Sequence, residues 1–222
     1  MSARDEILAT IRQALHQGDD ATRRAAVEAR LRNTPRGIVP ARGQGDRGQQ
    51  VATFVDEAQR VQASVTQVAT AQDIPAEIAR YLRSQNLPLT ARMGSDPRLS
   101  ALDWSAAQLE ITQGRSNGDD LNGISHAFAG IAETGTVCLL SGAANPTTLN
   151  FLPDNHIVVL NQSDLVGDLE SAWSRLRQLY GKGQLPRTVN LISGPSRSAD
   201  IEQQLLLGAH GPRRLHIVLV TD

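Results

Sequence analysis

The chain has 222 residues, 40% of them apolar, which suits one sizeable domain or one domain plus an appendage. A formal charge of −1 and an aromatic content of 3% argue against a nucleic-acid partner, which needs a basic field and stacking surfaces. The single cysteine, Cys138, excludes an internal disulfide framework and a thiolate-held zinc or iron–sulfur site, so no cofactor is expected in this chain.

The longest apolar runs reach about half of a bilayer span, so no membrane span is expected. The chain opens on Arg4, Asp5 and Glu6 rather than on a signal-type apolar stretch. A soluble, cytoplasmic protein is the expectation.

The first 32 residues read as helical. Ser2 can cap, and Ile7, Leu8 and Ile11 recur at helical spacing. A second helix is expected from about Ala21 to Arg32. Residues 33–49 are rich in Gly, Pro and Arg and read as a linker or mobile loop. The expected division is a helical arm with linker over 1–49 and an α/β domain over 50–222.

Beyond Gln50 the pattern alternates. A helix carries Val51, Phe54, Val55 and Ala58, and Val65 to Ala69 reads as a strand. Asp73 and Pro75 open a helix whose buried face is Ile78, Tyr81 and Leu82. Leu87 to Arg92 and Ala107 to Thr112 are strand-like. Ile124 to Ala132 and Thr136 to Ser141 are expected as two strands joined by Glu133, Thr134 and Gly135. His156 to Asn161 is a strand, Asp164 to Tyr180 a helix, Thr188 to Ser193 a strand, and Ser198 to Leu207 a helix. Leu215 to Thr221 has the nearly continuous apolar run of a buried central strand. Helix–strand alternation of this kind is the mark of an α/β domain.

Three segments can carry chemistry. In S-G-P-S-R-S-A-D-I-E, from Ser193 to Glu202, Gly194 allows a sharp turn after a strand. Ser196, Ser198 and Asp200 can each cap the expected helix, with Gln203 completing a capping box. Such a helix start offers free N–H groups and a partial positive charge, and Arg197 adds a bidentate donor, a combination suited to a small anion. The bland reading is capping plus a structural salt bridge from Arg197.

In A-E-T-G-T, from Ala132 to Thr136, Glu133 is the one acidic residue between Leu121 and Pro153. A carboxylate between apolar strands must be paired, hydrated or shifted in pKa, which makes Glu133 a candidate base or nucleophile. A solvated turn carboxylate is the alternative. In G-A-H-G-P, from Gly208 to Pro212, Gly208 can end a helix and His210 can act as an acid or base, or serve only as a local hydrogen-bond former. No histidine spacing supports a metal site.

These three segments, in the chain order A-E-T-G-T, S-G-P-S-R-S-A-D-I-E and G-A-H-G-P, resemble those of the LutC/YkgG family of lactate-utilisation (LUD) domain proteins. The resemblance covers roughly the last hundred residues in detail. It implies a three-layer α/β/α fold of the NagB/RpiA/CoA-transferase-like type. It implies a role in oxidising L-lactate to pyruvate beside partner proteins that carry iron–sulfur clusters, this chain being the cluster-free member. On the family's motifs, the candidate catalytic residues are Glu133 and His210. The candidate anion-binding residues are Thr134, Gly135, Gly194, Ser196, Arg197, Ser198 and Asp200, with a small carboxylate or other anion as ligand. The superfamily also contains CoA transferases and cyclo-ligases, so a stand-alone enzyme of that kind and a small-anion-binding regulator remain alternatives.

Overall fold

A computed structural model describes residues 2–14, 20–33, 36–201 and 204–221, with the backbone alone over 198–201 and 204–207. Glu202 and Gln203 lie outside the described residues. The chain divides into two units, Met1–Ile38 and Val39–Asp222.

The first unit contains helices α1 (Ala3–Ala14) and α2 (Asp20–Asn33). Asp5 and Glu6 sit in the first turn of α1, where carboxylates complement the helix dipole. Neither helix buries a side chain.

The second unit opens with α3 (Arg47–Arg60), β1 (Ser64–Val68), α4 (Ile74–Ser84), β2 (Thr90–Met93), α5 (Pro97–Ser100) and β3 (Glu110–Gln113). There follow β4 (Asn122–His126), β5 (Ala129–Ile131), β6 (Thr136–Leu140), β7 (Asn155–Asn161), β8 (Leu165–Val166) and α6 (Leu169–Tyr180). It closes with β9 (Val189–Ile192), β10 (Arg197–Ile201), β11 (Gln204–Leu207) and β12 (Arg214–Val220). Asp46 caps α3 in a reciprocal capping box with Gln49, so ordered structure begins inside the expected linker.

The central sheet has six strands in the order β1-β12-β7-β4-β2-β3, all parallel. Alternation along its strands divides the core. Ile157, Val159, Val218 and Val220 pack with Ile74, Ile78, Tyr81 and Leu82 of α4. Val158, Leu160, Ile217 and Leu219 pack on the other face with Phe54 and Ala58 of α3. The strands are apolar on both faces because both are covered. Phe54 is fully buried, a contribution of about 2–3 kcal/mol. The sheet is therefore flanked by helices, in the α/β/α arrangement expected from the sequence.

A second sheet, ordered β8-β5-β6-β9, joins the α3 layer through Val137, Leu139 and Leu165. The single strand expected from Ile124 to Ala132 is thus two strands in two sheets. The change occurs across one peptide: Ala127 N–H donates to Val159 O at 2.8 Å, and Phe128 N–H donates to Cys138 O at 2.8 Å. A continuous apolar run does not distinguish the two cases, because both strands are buried. The helix expected from Asp164 begins instead at Leu169, after Asp168 accepts from Ser171 N–H as its cap.

The larger correction concerns 198–207. Its described residues lie in two antiparallel strands, β10 and β11, with Arg197 paired to Leu207 and Ser198 to Leu206. A ten-residue helix would hold its ends about 15 Å apart. Gly208 N–H instead donates to Ser196 O at 3.0 Å, so the segment must return to its start. Among the described residues no helix is long and apolar enough to cross a membrane.

Candidate functional site

The corner after β9 is built by close approach. Gly194 has φ +79°, and a Cβ there would run into Val61 O at the end of α3. Only glycine meets both demands. Ser196 then gathers the following loop. Its N–H donates to Pro212 O at 2.8 Å, its carbonyl accepts from Gly208 N–H, and its Oγ accepts from His210 N–H at 3.3 Å. The S-G-P-S and G-A-H-G-P segments thereby enclose a cavity of about 240 Å³ at the amino end of β7 and β12. Ser193, Ser196 and His210 line it, together with Asn150, Phe151 and His156.

A buried polar network forms its floor. Ser125 Oγ donates to Asn150 Oδ1 at 3.2 Å and lies 3.1 Å from His156 Nε2. With the serine hydrogen committed to Asn150, His156 must donate from Nε2, which leaves Nδ1 with a bare lone pair. His156 Nδ1 and Asn150 Nδ2 have no partner among the described residues, and both side chains are 1% exposed. Two buried, unpaired polar atoms, an acceptor and a donor, are what a ligand would satisfy. Burial pushes the His156 pKa down to about 3, so the ring is neutral.

The A-E-T-G-T segment reaches this cavity through hydroxyls. Thr134 Oγ1 is 2.7 Å from Thr136 Oγ1, which is 2.6 Å from Ser193 Oγ. Gly135 has φ +61° and packs so tightly on α3 that a Cβ would meet Ala58 N. Glu133 does something else. Its N–H donates to Gly167 O, and its Oε1 accepts from Leu169 N–H at 3.0 Å. The carboxylate stands at the N-terminus of α6, where the helix dipole favours it. Its Oε2 is buried without a partner among the described residues.

The sequence-marked residues therefore separate. Ser196, Gly194 and His210 meet at the cavity, and Thr134 and Gly135 support it. Glu133 does not line it. Arg197 does not line it either; its Nη2 donates to Val61 O at 3.1 Å, satisfying a carbonyl at the end of α3. Among the described residues Arg197 opens a strand, so the helix start expected to offer free N–H groups is not found at this corner. The side chains of Ser198 and Asp200 lie outside the described residues. Ser125 and Asn150 belong to no sequence motif, and only His156, opening a strand, was marked at all. Cys138 is a buried strand residue whose thiol is pushed up to about 11 by burial.

Residues 51–220 match the LUD domain. The chain belongs to the LUD domain family. Among relatives of this LUD protein, lactate utilization protein C of Shouchella clausii (strain KSM-K16) is 41% identical over 100 residues, 45% of this chain and 44% of that one. The protein of the same name from Geobacillus thermodenitrificans (strain NG80-2) is 36% identical over 145 residues, 57% of this chain and 60% of that one. The matched regions span about half the length of these curated relatives. A DUF162 family protein from Deinococcus radiodurans, known from its crystal structure, shares the fold with a TM-score of 0.60. At 21% identity it covers 80% of this chain and 99% of its own.

Proposed function

We propose that this LUD protein serves lactate utilisation, as the cluster-free component of a cytoplasmic system that oxidises L-lactate to pyruvate. Iron–sulfur proteins are the partners that the resemblance to lactate-utilisation proteins implies, and this chain, with one cysteine, cannot itself supply a conventional cluster's ligands. The observation that carries the reading is the meeting of the S-G-P-S and G-A-H-G-P segments at one cavity, which the A-E-T-G-T segment braces through the Thr136–Ser193 hydroxyl contact and which is floored by the unpaired Asn150 Nδ2 and His156 Nδ1. The relatives named lactate utilization protein C give that cavity its biological context.

A small carboxylate is the proposed ligand. Asn150 Nδ2 and the Ser193 and Ser196 hydroxyls supply donors, and Phe151, Leu191 and Leu215 supply apolar walls. His210, on the loop that closes the cavity, is the group placed to exchange a proton with solvent.

Deletion of the gene in its native host, followed by growth on L-lactate as sole carbon source, tests the role. Growth is expected to fail, to return with the native gene, and to stay absent with Asn150→Ala. Affinity capture of the tagged protein from lactate-grown cells is expected to bring down cysteine-rich iron–sulfur proteins. Undiminished growth of the deletion strain would sink the proposal.

A further inference from the structure

A larger cavity, of about 610 Å³, lies at the opposite end of the central sheet. It follows β2, through Asp96 and Arg98, and β4, through His126 and Phe128, and is closed by the end of β6 and by α6. The next central-sheet strand after β2 is β3, at the sheet edge, whereas the next after β4, reached through β5 and β6 of the second sheet, is β7 on the other side of β4. The carboxyl ends of two parallel strands whose connections diverge form the crevice in which open α/β sheets hold ligands. The volume falls in the range of small-molecule sites.

Its polar groups are held in place from behind. Asp96, 7% exposed, takes a two-bond fork from Arg98, with Nε to Oδ1 at 3.0 Å and Nη2 to Oδ2 at 2.6 Å. Arg98 Nη1 is left without a partner among the described residues. Asp164 engages Arg175 through Nη2 and, by its carbonyl, through Nη1. Arg175 Nε is left without a partner among the described residues, and the guanidinium lies 4.8 Å above the Phe128 ring. Each arginine is thus fixed by one carboxylate and keeps an N–H to offer. Because each guanidinium is already charge-compensated, the attraction for an anion is directional hydrogen bonding more than net field.

His126, 4% exposed, supplies the complementary group. Its Nδ1 lies 2.9 Å from Ala127 O, and a carbonyl can only accept, so Nδ1 carries the proton. Burial, with Arg98 nearby, holds its pKa below the ordinary histidine value. The neutral ring therefore has a lone pair on Nε2, which has no partner among the described residues. The remaining wall combines the apolar side chains of Phe128, Leu140 and Tyr180 with the polar ones of Ser141, Asn145 and Gln178.

We propose that this carboxyl-end cavity is a second ligand site, taking an organic hydroxycarboxylate whose carboxylate is held by Arg98 and Arg175 and whose hydroxyl donates to His126. The apolar part of such a molecule lies against Phe128 and Tyr180. The inference rests on the cavity alone and not on the lactate reading.

Calorimetric titration of the full chain with 2-hydroxy-3-phenylpropanoate, and with 3-phenylpropanoate as the hydroxyl-free control, tests it. Saturable one-to-one binding of the hydroxy acid is expected, with the control at least about tenfold weaker. Arg98→Gln and Arg175→Gln should each weaken the hydroxy acid by about tenfold or more. Arg98→Lys, which keeps the charge but loses the fork, guards against a folding artefact if either glutamine variant loses its native circular dichroism, and should still bind measurably less. His126→Phe should erase the preference between the two acids. Absence of saturable binding, equal affinity for both acids, or affinity untouched by the Arg98 variants overturns the site. Growth on L-lactate is read separately, so either proposal can fail while the other stands.

Discussion

Ser196 and His210 are joined directly: the His210 N–H donates to Ser196 Oγ at 3.3 Å. Two backbone bonds from Ser196, to Pro212 and from Gly208, hold the same loop. Ser196→Ala removes only the side-chain bond, and a cost of about 0.5–1.5 kcal/mol is expected in urea unfolding. Arg197→Ala touches a carbonyl at the surface and no wall of the motif cavity. Growth on lactate should survive Arg197→Ala and fail with Asn150→Ala. Loss of growth with a correctly folded Arg197→Ala protein would return Arg197 to the ligand.

Gly135→Ala tests the packing of the A-E-T-G-T turn on α3. The left-handed backbone and the Ala58 nitrogen both oppose a methyl group. A loss of roughly 2–4 kcal/mol is expected from the denaturation midpoint. Gly142→Ala is the control: a Cβ there meets nothing within 4 Å, and a change within about 0.5 kcal/mol is expected. Similar midpoints for the two variants would refute the tight contact.

Stability should fall on mild acidification. Burial pushes His156 down to about 3 and His216 to about 4, from an ordinary value of 6.5. For His216, Glu77 raises the pKa and Arg80 lowers it, while Tyr81 stacks on the ring at 3.8 Å. The unfolded chain protonates both rings near 6.5 and the folded chain does not, so the unfolded state gains protons first. Each ring contributes a slope of up to about 1.4 kcal/mol per pH unit below that point. Glu77 and Asp96, held below their ordinary values of 4.5 and 3.8 despite burial, act in the same direction but only at lower pH. Urea midpoints at about pH 7, 6 and 5 should therefore decline, and His156→Gln should flatten the decline. A level profile in the native protein would contradict neutral buried rings.

The physical domain begins before the family match at residue 51. Gln44 donates to Asp168 at 3.1 Å, Asp46 caps α3, and Arg47 donates to Leu165 O at 2.6 Å. A protein starting at Val39 is expected to match the full chain within about 0.5 kcal/mol, because α1 and α2 bury nothing. One starting at Val51 loses these bonds and should be about 2–4 kcal/mol less stable. Equal stability of the two truncations would show that the segment contributes nothing.

The parts of this architecture that were legible in the sequence are those set by local pattern. The apolar runs at 156–161 and 215–221 form central strands, and α4 starts and buries its face as its residues dictate. The antiparallel pair of β10 and β11 was not legible, since Ser and Asp favour turns as well as helix caps. What decides between them is the bond from Gly208 to Ser196, a contact across the pair itself. The motif cavity was half legible. Its rim carries the recurring segments, while its floor depends on register: Ser125 meets His156 only because β4 pairs with β7 so that Gly123 faces His156. Glu133 was singled out by its isolation in an apolar stretch, and the helix it caps supplies the reason for its burial.

Ser125 and His126 are consecutive in β4, and successive side chains of a strand point to opposite faces. One peptide bond thus separates a hydroxyl that braces Asn150 and His156 from an imidazole that lines the carboxyl-end cavity. Neither chamber can be remodelled at this strand without disturbing the other. An isotope label placed on the Ser125–His126 amide would sit between the residue that braces one cavity floor and the residue that lines the other cavity, and its resonance is expected to shift when either is occupied.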